Sequence, residues 1–391
     1  MKDLNARLKS LKEKIEEGDI TIMIMGLGSV GLYLLDYIIS KNDPSIHIVV
    51  VGRNFEKMET DVNIVRISAL IRNQNKSTVS IEGGCDFNNI NVICKCIKKY
   101  SPDFIVNTSR VYSGLKYGSI SWHNFRAYGI WSPLAINFIR NIMSACDMAD
   151  TNAIVINASY SDAVIPWLKN AGHPYPDFGS GNLNHLIPRI KFAASQILGI
   201  KDYWNIVVFL ATAHFHDVVI SKEGRTEGQN PLLSLNYNGK PLVINETELY
   251  NLCKIPMPVD AKRNMMNASS NFDIVFTVIE ALRNNTDKIF HSPGAIGLPG
   301  GYPVRIDGKG KQPQAVIDES VFSLKDMITV NKKSLALDGI ESTEDGTLTY
   351  TDILLEKVKK AFSIDLPKRV PFADIDTVAE FIIENIIKKN K

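Results

Sequence analysis

The sequence lacks several features that would assign it to common classes of protein. No stretch approaches the roughly 18 consecutive apolar residues of a membrane-spanning helix. The 44 Lys and Arg residues nearly balance the 42 Asp and Glu residues and are scattered, so no nucleic-acid partner is indicated. The cysteines are odd in number and include no C-x-x-C pair, which argues against a zinc site or a disulfide framework: Cys85, Cys94, Cys96, Cys146 and Cys253.

Residues 1–18 are rich in Lys and Glu and carry apolar residues at helical spacing, namely Leu4, Leu8, Leu11 and Ile15. This pattern predicts an N-terminal helix and is unlike the apolar core of a signal peptide. We therefore expect a cytoplasmic protein with no membrane partner. With 391 residues, of which 45% are apolar, the chain is long enough to form two domains that share one interface.

A glycine-rich turn follows the first strand-like segment. Residues 20–25 are apolar, residues 32–40 form an apolar helix candidate, and between them stands Gly26-Leu27-Gly28-Ser29-Val30-Gly31. This G-x-G-x-x-G spacing between a strand and a helix is typical of dinucleotide-binding sites. Gly26 permits the tight turn, Gly28 lets the backbone approach a pyrophosphate, and Gly31 lets the helix pack closely on the strand. We predict that these six residues, with Thr108 after a later strand, bind a dinucleotide cofactor.

The next strand-like segment, residues 47–51, ends in Gly52-Arg53-Asn54. NAD-selective sites place an acid near this point, where its carboxylate bonds the ribose 2′-hydroxyl, but no acid stands here. The planar guanidinium of Arg53 instead matches the geometry of a 2′-phosphate. We therefore favour NADP over NAD as the cofactor; the alternative is that Arg53 is a solvated loop cation.

Strands and helices alternate through the first part of the chain. Strand-like segments lie near 20–25, 47–51, 78–82, 103–107 and 153–157, and helical patterns, including one over 130–145, separate them. This alternation predicts the α/β class, with a Rossmann-type doubly wound parallel sheet. The cofactor crevice is then expected at the carboxyl ends of the strands.

The pattern changes after about residue 175. Helices over 184–198 and 271–283, a strand over 205–212, a hairpin turning at Asn238-Gly239 and a closing helix over 376–389 predict an α+β substrate domain. We therefore expect an N-terminal helix at 1–18, a dinucleotide-binding domain at 19–175 and a substrate and oligomerisation domain at 176–391.

Three segments resemble the lactate/malate dehydrogenase superfamily. Residues 155–172 resemble the strand and helix around that family's Asn-Pro-Val-Asp motif, and residues 178–199 resemble its glycine turn and catalytic-aspartate helix. The strand entering Ala213-His214-Phe215-His216-Asp217 resembles the strand that delivers the catalytic histidine. The resemblance implies an NAD(P)-dependent oxidoreductase that transfers a hydride between nicotinamide and a small polar alcohol, keto or imino substrate. It also implies a homodimer or homotetramer.

The same resemblance indicates which residues act on the substrate. His214 is the first candidate for the acid/base, because an imidazole titrates near neutral pH, and His216 is the alternative. His214 is expected at the mouth of the strand. A His-x-His pair on a strand would put both rings on one face, the spacing of some metal sites, but the sequence offers no obvious third ligand. Asn157, at the end of the fifth strand, is expected to donate to a substrate oxygen or to the nicotinamide ribose, the alternative being a turn that caps the next helix. Residues 110–121 would form a loop that closes over the site.

The chain departs from the family where a helix should carry an Asp followed three residues later by an Arg. Asn184 or His185 stands at the acid position, and Ile187 or Pro188 at the arginine position. An Asp there charges and orients the catalytic imidazole, and the Arg binds a substrate carboxylate. Asn184 is therefore a neutral candidate partner of the histidine, and Arg189 a candidate anion-binding residue. The departure leaves a second function open, a repurposed nucleotide-binding protein without catalysis.

Residues 183–186, Leu-Asn-His-Leu, also match a motif of carbohydrate-acting relatives of this superfamily. In those relatives the motif follows a later strand and works with an upstream metal-binding cysteine, whereas no cysteine lies between Cys146 and Cys253. We therefore expect no metal at this site and disfavour a metal-dependent glycosidase.

Overall fold

A sheet of six parallel strands forms the first part of the structure, a computed structural model that describes residues 3–389. Its spatial order is β3-β2-β1-β4-β5-β6, with β1 (Ile20–Met25), β2 (Ile46–Val51), β3 (Thr78–Glu82), β4 (Phe104–Asn107), β5 (Ile154–Asn157) and β6 (Phe178–Gly179). The strand order reverses between β1 and β4, and open α/β sheets bind ligands in the crevice at such a point.

Helices cover both faces of this sheet, because the strands carry apolar side chains on each face. Met23 and Met25 of β1 belong to one hydrophobic cluster, and Ile22 and Ile24 to another. The helices of this part are α1 (Leu4–Glu17), α2 (Ser29–Ser40), α3 (Phe55–Ile71), α4 (Ile90–Tyr100), α5 (Gly114–Asn124), α6 (Ser132–Ala135), α7 (Asn137–Ala149) and α8 (Ser161–Asn170). This arrangement confirms the doubly wound sheet predicted from the sequence.

Three small antiparallel sheets follow. Their strands are β7 (Ile206–Ala211), β8 (Leu232–Tyr237) and β9 (Lys240–Pro241), then β10 (Asp287–Pro293), β11 (Gly301–Asp307) and β12 (Gln314–Ile317), then β13 (Ile340–Ser342), β14 (Thr347–Tyr350) and β15 (Arg369–Pro371). The helices are α9 (Asn182–Leu198), α10 (His214–Glu223), α11 (Glu246–Leu252), α12 (Asn264–Asn284), α13 (Leu324–Leu337), α14 (Asp352–Phe362) and α15 (Ile375–Ile382). The predicted α+β character of this part is confirmed.

The N-terminal helix and the hairpin agree with the predictions from local sequence, whereas the helix over 130–145 does not. Helix α1 buries its apolar side chains, as their spacing predicts: Leu4, Leu8, Leu11 and Ile15. Residues 1 and 2 of the expected N-terminal helix, and residues 390 and 391 of the last expected domain, lie outside the described residues. The predicted hairpin turns at Asn238 and Gly239, whose φ values are both positive. The predicted helix over 130–145 is instead divided into a 3-10 turn at Gly129–Trp131, α6 and α7. Pro133, which has no N–H to donate, stands in the first turn of α6, where that N–H is not needed.

Within residues 3–389, the helices are all too short or too polar to cross a membrane.

Candidate active site

The glycine-rich turn between β1 and α2 leaves room for a dinucleotide phosphate. Gly26 has a φ of +99°, and a side chain there would meet the Cβ atom of Ser109 at 3.0 Å. A Cβ atom at Gly31 would lie 2.2 Å from the carbonyl oxygen of Gly26. At Gly28, by contrast, a Cβ atom would meet no protein atom within 4 Å. The turn is therefore closed on its strand side and open at Gly28, where the pyrophosphate is expected.

Neighbouring side chains hold this turn in place. Thr108 Oγ1 donates to the carbonyl oxygen of Gly26 at 2.6 Å. Asn264 Nδ2, at the start of α12, donates to Ser29 Oγ at 2.6 Å. No side chain caps α2, which begins at Ser29, so the N–H groups of its first turn are available to a phosphate.

The other cofactor candidates differ in exposure. Val30 is buried, and Leu27 is half-buried against the hydrophobic cluster that contains α2 and α12. Arg53 is exposed and is the first charged side chain after β2. Its neighbour Asn54 caps α3 by accepting a hydrogen bond from the N–H of Lys57 at 3.0 Å. Arg53 therefore lies exposed just beyond the carboxyl end of β2.

His214 begins helix α10 just after the end of strand β7, so His214 and His216 do not share one face of a strand. Strand β7 ends at Ala211, and Ala213 precedes the helix without a side chain that could cap it. The backbone N–H of His214 instead donates to Asp162 Oδ1 at 3.0 Å. Asp162, from α8, thus satisfies a helix N-terminus that the local sequence leaves open.

The imidazole of His214 is paired with a carboxylate that the sequence motifs did not indicate. His214 Nδ1 lies 2.8 Å from Oδ2 of Asp338, 124 positions later in the chain. The same oxygen accepts from the hydroxyl of Tyr160 at 2.7 Å, and Oδ1 accepts from the backbone N–H of Tyr128 at 2.7 Å. The expected neutral partner, Asn184, is therefore not the group that orients His214. Because Nδ1 is held by Asp338, Nε2 is the nitrogen left to exchange a proton.

Two effects oppose each other on the pKa of His214. Burial lowers the pKa because it disfavours the imidazolium, whereas the charge and hydrogen bond of Asp338 raise it. The charges of Asp162 and Asp217 also raise it, and the net pKa lies above its usual value. The site therefore favours an imidazolium that can donate a proton near neutral pH.

Replacing Asp338 with Asn should lower the pKa of His214, because the amide removes the negative charge and leaves the effect of burial less opposed. The measurement is a pH titration of the His214 ring signal by NMR. Tyr160→Phe is the matched control, since it removes one hydrogen bond to Asp338 but keeps the carboxylate. An unchanged pKa in Asp338→Asn would show that this carboxylate does not control the imidazole.

His214 lines a cavity of about 110 Å³ at the carboxyl ends of β4 and β5. The rings of Tyr128 and Tyr160 stand edge-on to the imidazole, with centroids 4.6 and 5.2 Å away. Arg110, also on the wall, donates to the carbonyl oxygen of Ala158. The expected closing loop over residues 110–121 is only partly a loop, because α5 begins at Gly114 and forms part of this wall.

His216, the alternative acid/base, is fully buried behind His214. Its Nδ1 lies 2.7 Å from the hydroxyl of Ser334, and its Nε2 contacts the carbonyl oxygen of Gln229. Burial lowers its pKa to about 4, so the ring is neutral at physiological pH. Both ring nitrogens are engaged within the protein, which gives His216 a role in packing.

Asn157 is fully buried at the end of β5, and its amide is used inside the protein. Its Nδ2 donates to the carbonyl oxygen of Ser159 at 3.0 Å and to the hydroxyl of Ser161 at 3.1 Å. Its Oδ1 accepts from Asn107 Nδ2 on β4 at 2.9 Å. Asn157 does not cap α8, which has no side-chain cap, so the helix-capping alternative is not what its amide does; its contacts fix the chain between β5 and α8.

A second histidine–carboxylate pair lies one helical turn from His214. Asp217 follows His214 by three residues on α10, and its Oδ2 lies 3.7 Å from Nδ1 of His185 on α9. Residues three apart lie on the same face of a helix. The sequence had placed His185 only as a possible replacement for an acid, and it gave no indication that Asp217 pairs with it.

Asn184 and Arg189, the other candidates on α9, point to different partners. Asn184 Nδ2 donates to Ser270 Oγ of α12 at 3.0 Å. Arg189 is buried, and its NH1 donates to the carbonyl oxygens of Cys253 and Ile255 at 3.0 and 3.4 Å. The structure therefore brings His214 together with Asp338, Asp162 and Asp217, and it places Arg189 against the chain that follows α11.

Malate and lactate dehydrogenases are among the solved structures with this arrangement of elements. The Plasmodium falciparum malate dehydrogenase in complex with NADH is 13% identical, with a TM-score of 0.51, over 88% of this chain and 99% of that one. The Eimeria maxima lactate dehydrogenase with NADH and oxamate is 13% identical, with a TM-score of 0.52, over 81% and 91%. The Cryptosporidium parvum lactate dehydrogenase with lactic acid and nicotinamide adenine dinucleotide is 16% identical, with a TM-score of 0.54, over 82% and 98%.

No protein-family model and no curated protein sequence matches the chain. At these low identities the structural likeness shows the fold alone. The chain has the lactate/malate dehydrogenase fold, and the resemblance indicated by its sequence blocks is confirmed at that level.

Proposed function

We propose that this protein is a nicotinamide-dinucleotide-dependent oxidoreductase and a divergent member of the lactate/malate dehydrogenase superfamily. The observation that carries the proposal is the His214–Asp338 pair, in which His214 lines a cavity at the carboxyl ends of β4 and β5. The glycine-rich turn follows the carboxyl end of the neighbouring strand β1. The fold supports the proposal, because the Plasmodium falciparum and Eimeria maxima enzymes of the same fold are complexes with NADH.

Helix α12 connects the cofactor turn with the cavity. At the start of α12, Asn264 donates to Ser29 Oγ of the glycine-rich turn at 2.6 Å. Six residues further along the helix, Ser270 Oγ accepts from the N–H of Gly181, just before α9, at 2.8 Å. The first residue of α9, Asn182, donates to Asp162, which in turn accepts from the backbone of His214. These contacts fix the position of His214 relative to the glycine-rich turn. A reaction that transfers both a hydride and a proton needs such a fixed distance between cofactor and acid/base.

The nicotinamide, when bound, supplies or accepts the hydride. The proton comes from the chain: His214 donates it to a carbonyl or imine group during reduction and removes it from an alcohol or amine during oxidation. Asp338 orients the imidazole and stabilises the imidazolium that must be present before reduction. The aromatic side chains of Tyr128, Trp131 and Tyr160 line the cavity beside His214.

Cofactor binding and turnover are tested in two steps. Titration with NADH and with NADPH, followed by nicotinamide fluorescence, measures binding. A panel of alcohols, keto compounds and imines, followed at the absorbance of the reduced nicotinamide, measures turnover. Binding followed by turnover supports the proposal, and failure to bind either nucleotide removes it.

A second candidate function is a nucleotide-binding protein without catalysis. The position of Arg189 favours this function. Its N–H groups donate to the carbonyl oxygens of Cys253 and Ile255, and Arg189 does not line the His214 cavity, where it would have to bind an anionic substrate. Tight cofactor binding without turnover anywhere in the panel would favour this second function over the first.

Arg53→Ala should weaken NADPH binding and hardly change NADH binding, since only NADPH carries the 2′-phosphate that the guanidinium would bond. We expect a loss of about 1–3 kcal/mol, the scale of one hydrogen bond to a charged group. Fluorescence titrations of both nucleotides measure it, with Lys57→Ala on α3 as a nearby cation control. Equal losses for NADH and NADPH would refute the preference for NADP.

The remaining expectations from the sequence stay predictions. They are the division into residues 1–18, 19–175 and 176–391, the cytoplasmic location, and assembly as a homodimer or homotetramer acting on a small-molecule substrate.

A further inference from the structure

A groove of about 540 Å³ lies between α9, α12, β7 and β10, and it shares no lining residue with the His214 cavity. This volume is in the range of small-molecule sites. We call it the α9 groove, and its walls include Lys191, Trp204, Val207, Val208, Asp273 and Ile289. The α9 groove is therefore a second candidate binding site, separate from the one that holds His214.

Two opposite charges line the α9 groove without forming an ion pair. Lys191 on α9 is half-buried, and its Nζ donates to a neutral acceptor, the carbonyl oxygen of Trp204, at 3.3 Å. Between residues 3 and 389, no ion pair includes Lys191 or Asp273. Burial lowers the pKa of Lys191, and the charge of Asp273 offsets this only in part. The ammonium group thus lacks the charged partner that stabilises a half-buried charge.

Three exposed apolar side chains line the same groove. Trp204 is 63% exposed, Val207 48% and Ile289 42%. Burying apolar surface is favourable, and exposed apolar side chains that share one concave surface are typical of binding sites. We call these three residues the apolar wall, and we expect a ligand of the groove to carry an apolar part that covers it.

The backbone of β7 adds one donor and one acceptor. β7 is the edge strand of its sheet, since it pairs with β8 on one side only. The N–H of Leu210 points away from β8 and donates at 3.2 Å to Nε2 of His291, which also lines the groove. In an antiparallel strand every second residue directs its N–H and C=O to the same side. Val208, two residues earlier, therefore directs an N–H and a C=O toward the groove.

We propose that the α9 groove binds a zwitterion with an apolar side chain, a free α-amino acid of the leucine type. The carboxylate of the ligand pairs with Lys191 and accepts from the N–H of Val208. Its ammonium group pairs with Asp273, and its side chain packs against the apolar wall. A ligand with a single charge would satisfy only one of the two charged groups, and a neutral ligand would satisfy neither. The groove lies outside the His214 cavity, so the inference does not rest on the proposed oxidoreductase function.

Isothermal titration calorimetry with leucine, in the absence of any nucleotide, tests the proposal. We expect leucine to bind the unmodified protein. Leucine methyl ester lacks the negative charge and N-acetylleucine lacks the positive one, so each should bind at least about tenfold more weakly, the effect of losing one hydrogen bond to a charged group. Glycine keeps both charges but has no apolar side chain, and it should also bind more weakly. A change in tryptophan fluorescence that is absent from Trp204→Phe should accompany leucine binding.

Variants of the two charged residues test the assignment of the groups. Lys191→Met and Asp273→Asn should each weaken leucine binding by at least about tenfold. Their melting temperatures should stay near that of the unmodified protein, because neither residue has an ion pair to lose. The matched controls, Lys9→Met and Glu59→Gln, change exposed charges on α1 and α3 and should leave the Kd for leucine unchanged.

Three results would overturn the proposal. One is no binding of leucine to the unmodified protein, and another is equal binding of leucine, its methyl ester and N-acetylleucine or by the Lys191 and Asp273 variants. The third is a Trp204 signal that changes with protein concentration and not with leucine, which would show that a second copy of the chain covers the groove. None of them bears on the proposed oxidoreductase function, which is judged by nucleotide binding and turnover.

Discussion

Replacing His214 with Gln should lower turnover by about 10² to 10⁴-fold, the usual contribution of general acid–base catalysis. The side chain would still fill the space beside Tyr128 and Tyr160, but it has no proton to exchange at neutral pH. Cofactor affinity should stay near that of the unmodified protein, because the imidazole lines the cavity and not the glycine-rich turn. Steady-state kinetics on an identified substrate, together with nucleotide titration, measure both quantities.

His216→Gln provides the contrast. His216 is fully buried and bonded at both ring nitrogens, so its replacement should lower the melting temperature more than it lowers turnover per folded molecule. Full turnover in His214→Gln would end the acid/base assignment. A large loss of turnover in a folded His216→Gln protein, with little loss in His214→Gln, would move the role to His216.

The fold was predictable because its sequence signals are local and periodic. The apolar runs of β1, β2, β4 and β5 and the glycine spacing at 26–31 each lie within a few residues, and the structure has those strands in a parallel sheet. Each signal depends on short-range geometry: alternation along a buried strand, and the positive φ of Gly26 at the turn. Such signals can be interpreted without knowing which distant residues meet.

The carboxylate partner of His214 was not predictable in this way. Asp338 lies 124 positions away, at the end of α13, and belongs to no motif. The sequence does contain one signal that Asp338 is buried, since this acid follows the apolar residues 335–337 and precedes Ile340 by two positions. A buried acid needs hydrogen-bond or charged partners. The sequence can indicate that Asp338 has a partner, but only the fold shows that the partner is His214.

The second pair shows how local chemistry can change while the fold stays. By the family pattern, the helix corresponding to α9 should carry the acid and the segment after β7 the histidine. Here α9 carries His185, and the segment after β7 carries both His214 and Asp217. The carboxylate beside the His214 imidazole comes from Asp338 and not from α9. In the sequence, the missing Asp–Arg pair of α9 indicated only the loss of an acid. In the structure, two histidine–carboxylate pairs are present, His214 with Asp338 and His185 with Asp217.

Gly28→Val should abolish binding of both NADH and NADPH while the protein remains folded. A Cβ atom at Gly28 meets no protein atom within 4 Å, so the branched side chain fits the fold but fills the space in which a pyrophosphate would approach the N–H groups of α2. Nucleotide fluorescence titration measures the loss, and circular dichroism with a melting curve measures the fold. Gly28→Ala should weaken binding less, because one methyl group occupies less of that space.

Gly31→Val is the opposite control at the other end of the same turn. Its Cβ atom would lie 2.2 Å from the carbonyl oxygen of Gly26 and 3.0 Å from Thr108 Oγ1, so this change should destabilise the fold itself. If Gly28→Val binds NADH and NADPH as tightly as the unmodified protein does, the glycine-rich turn does not hold a dinucleotide. Without a bound nicotinamide there would be no hydride transfer for His214 to assist, and the proposed oxidoreductase function would be refuted.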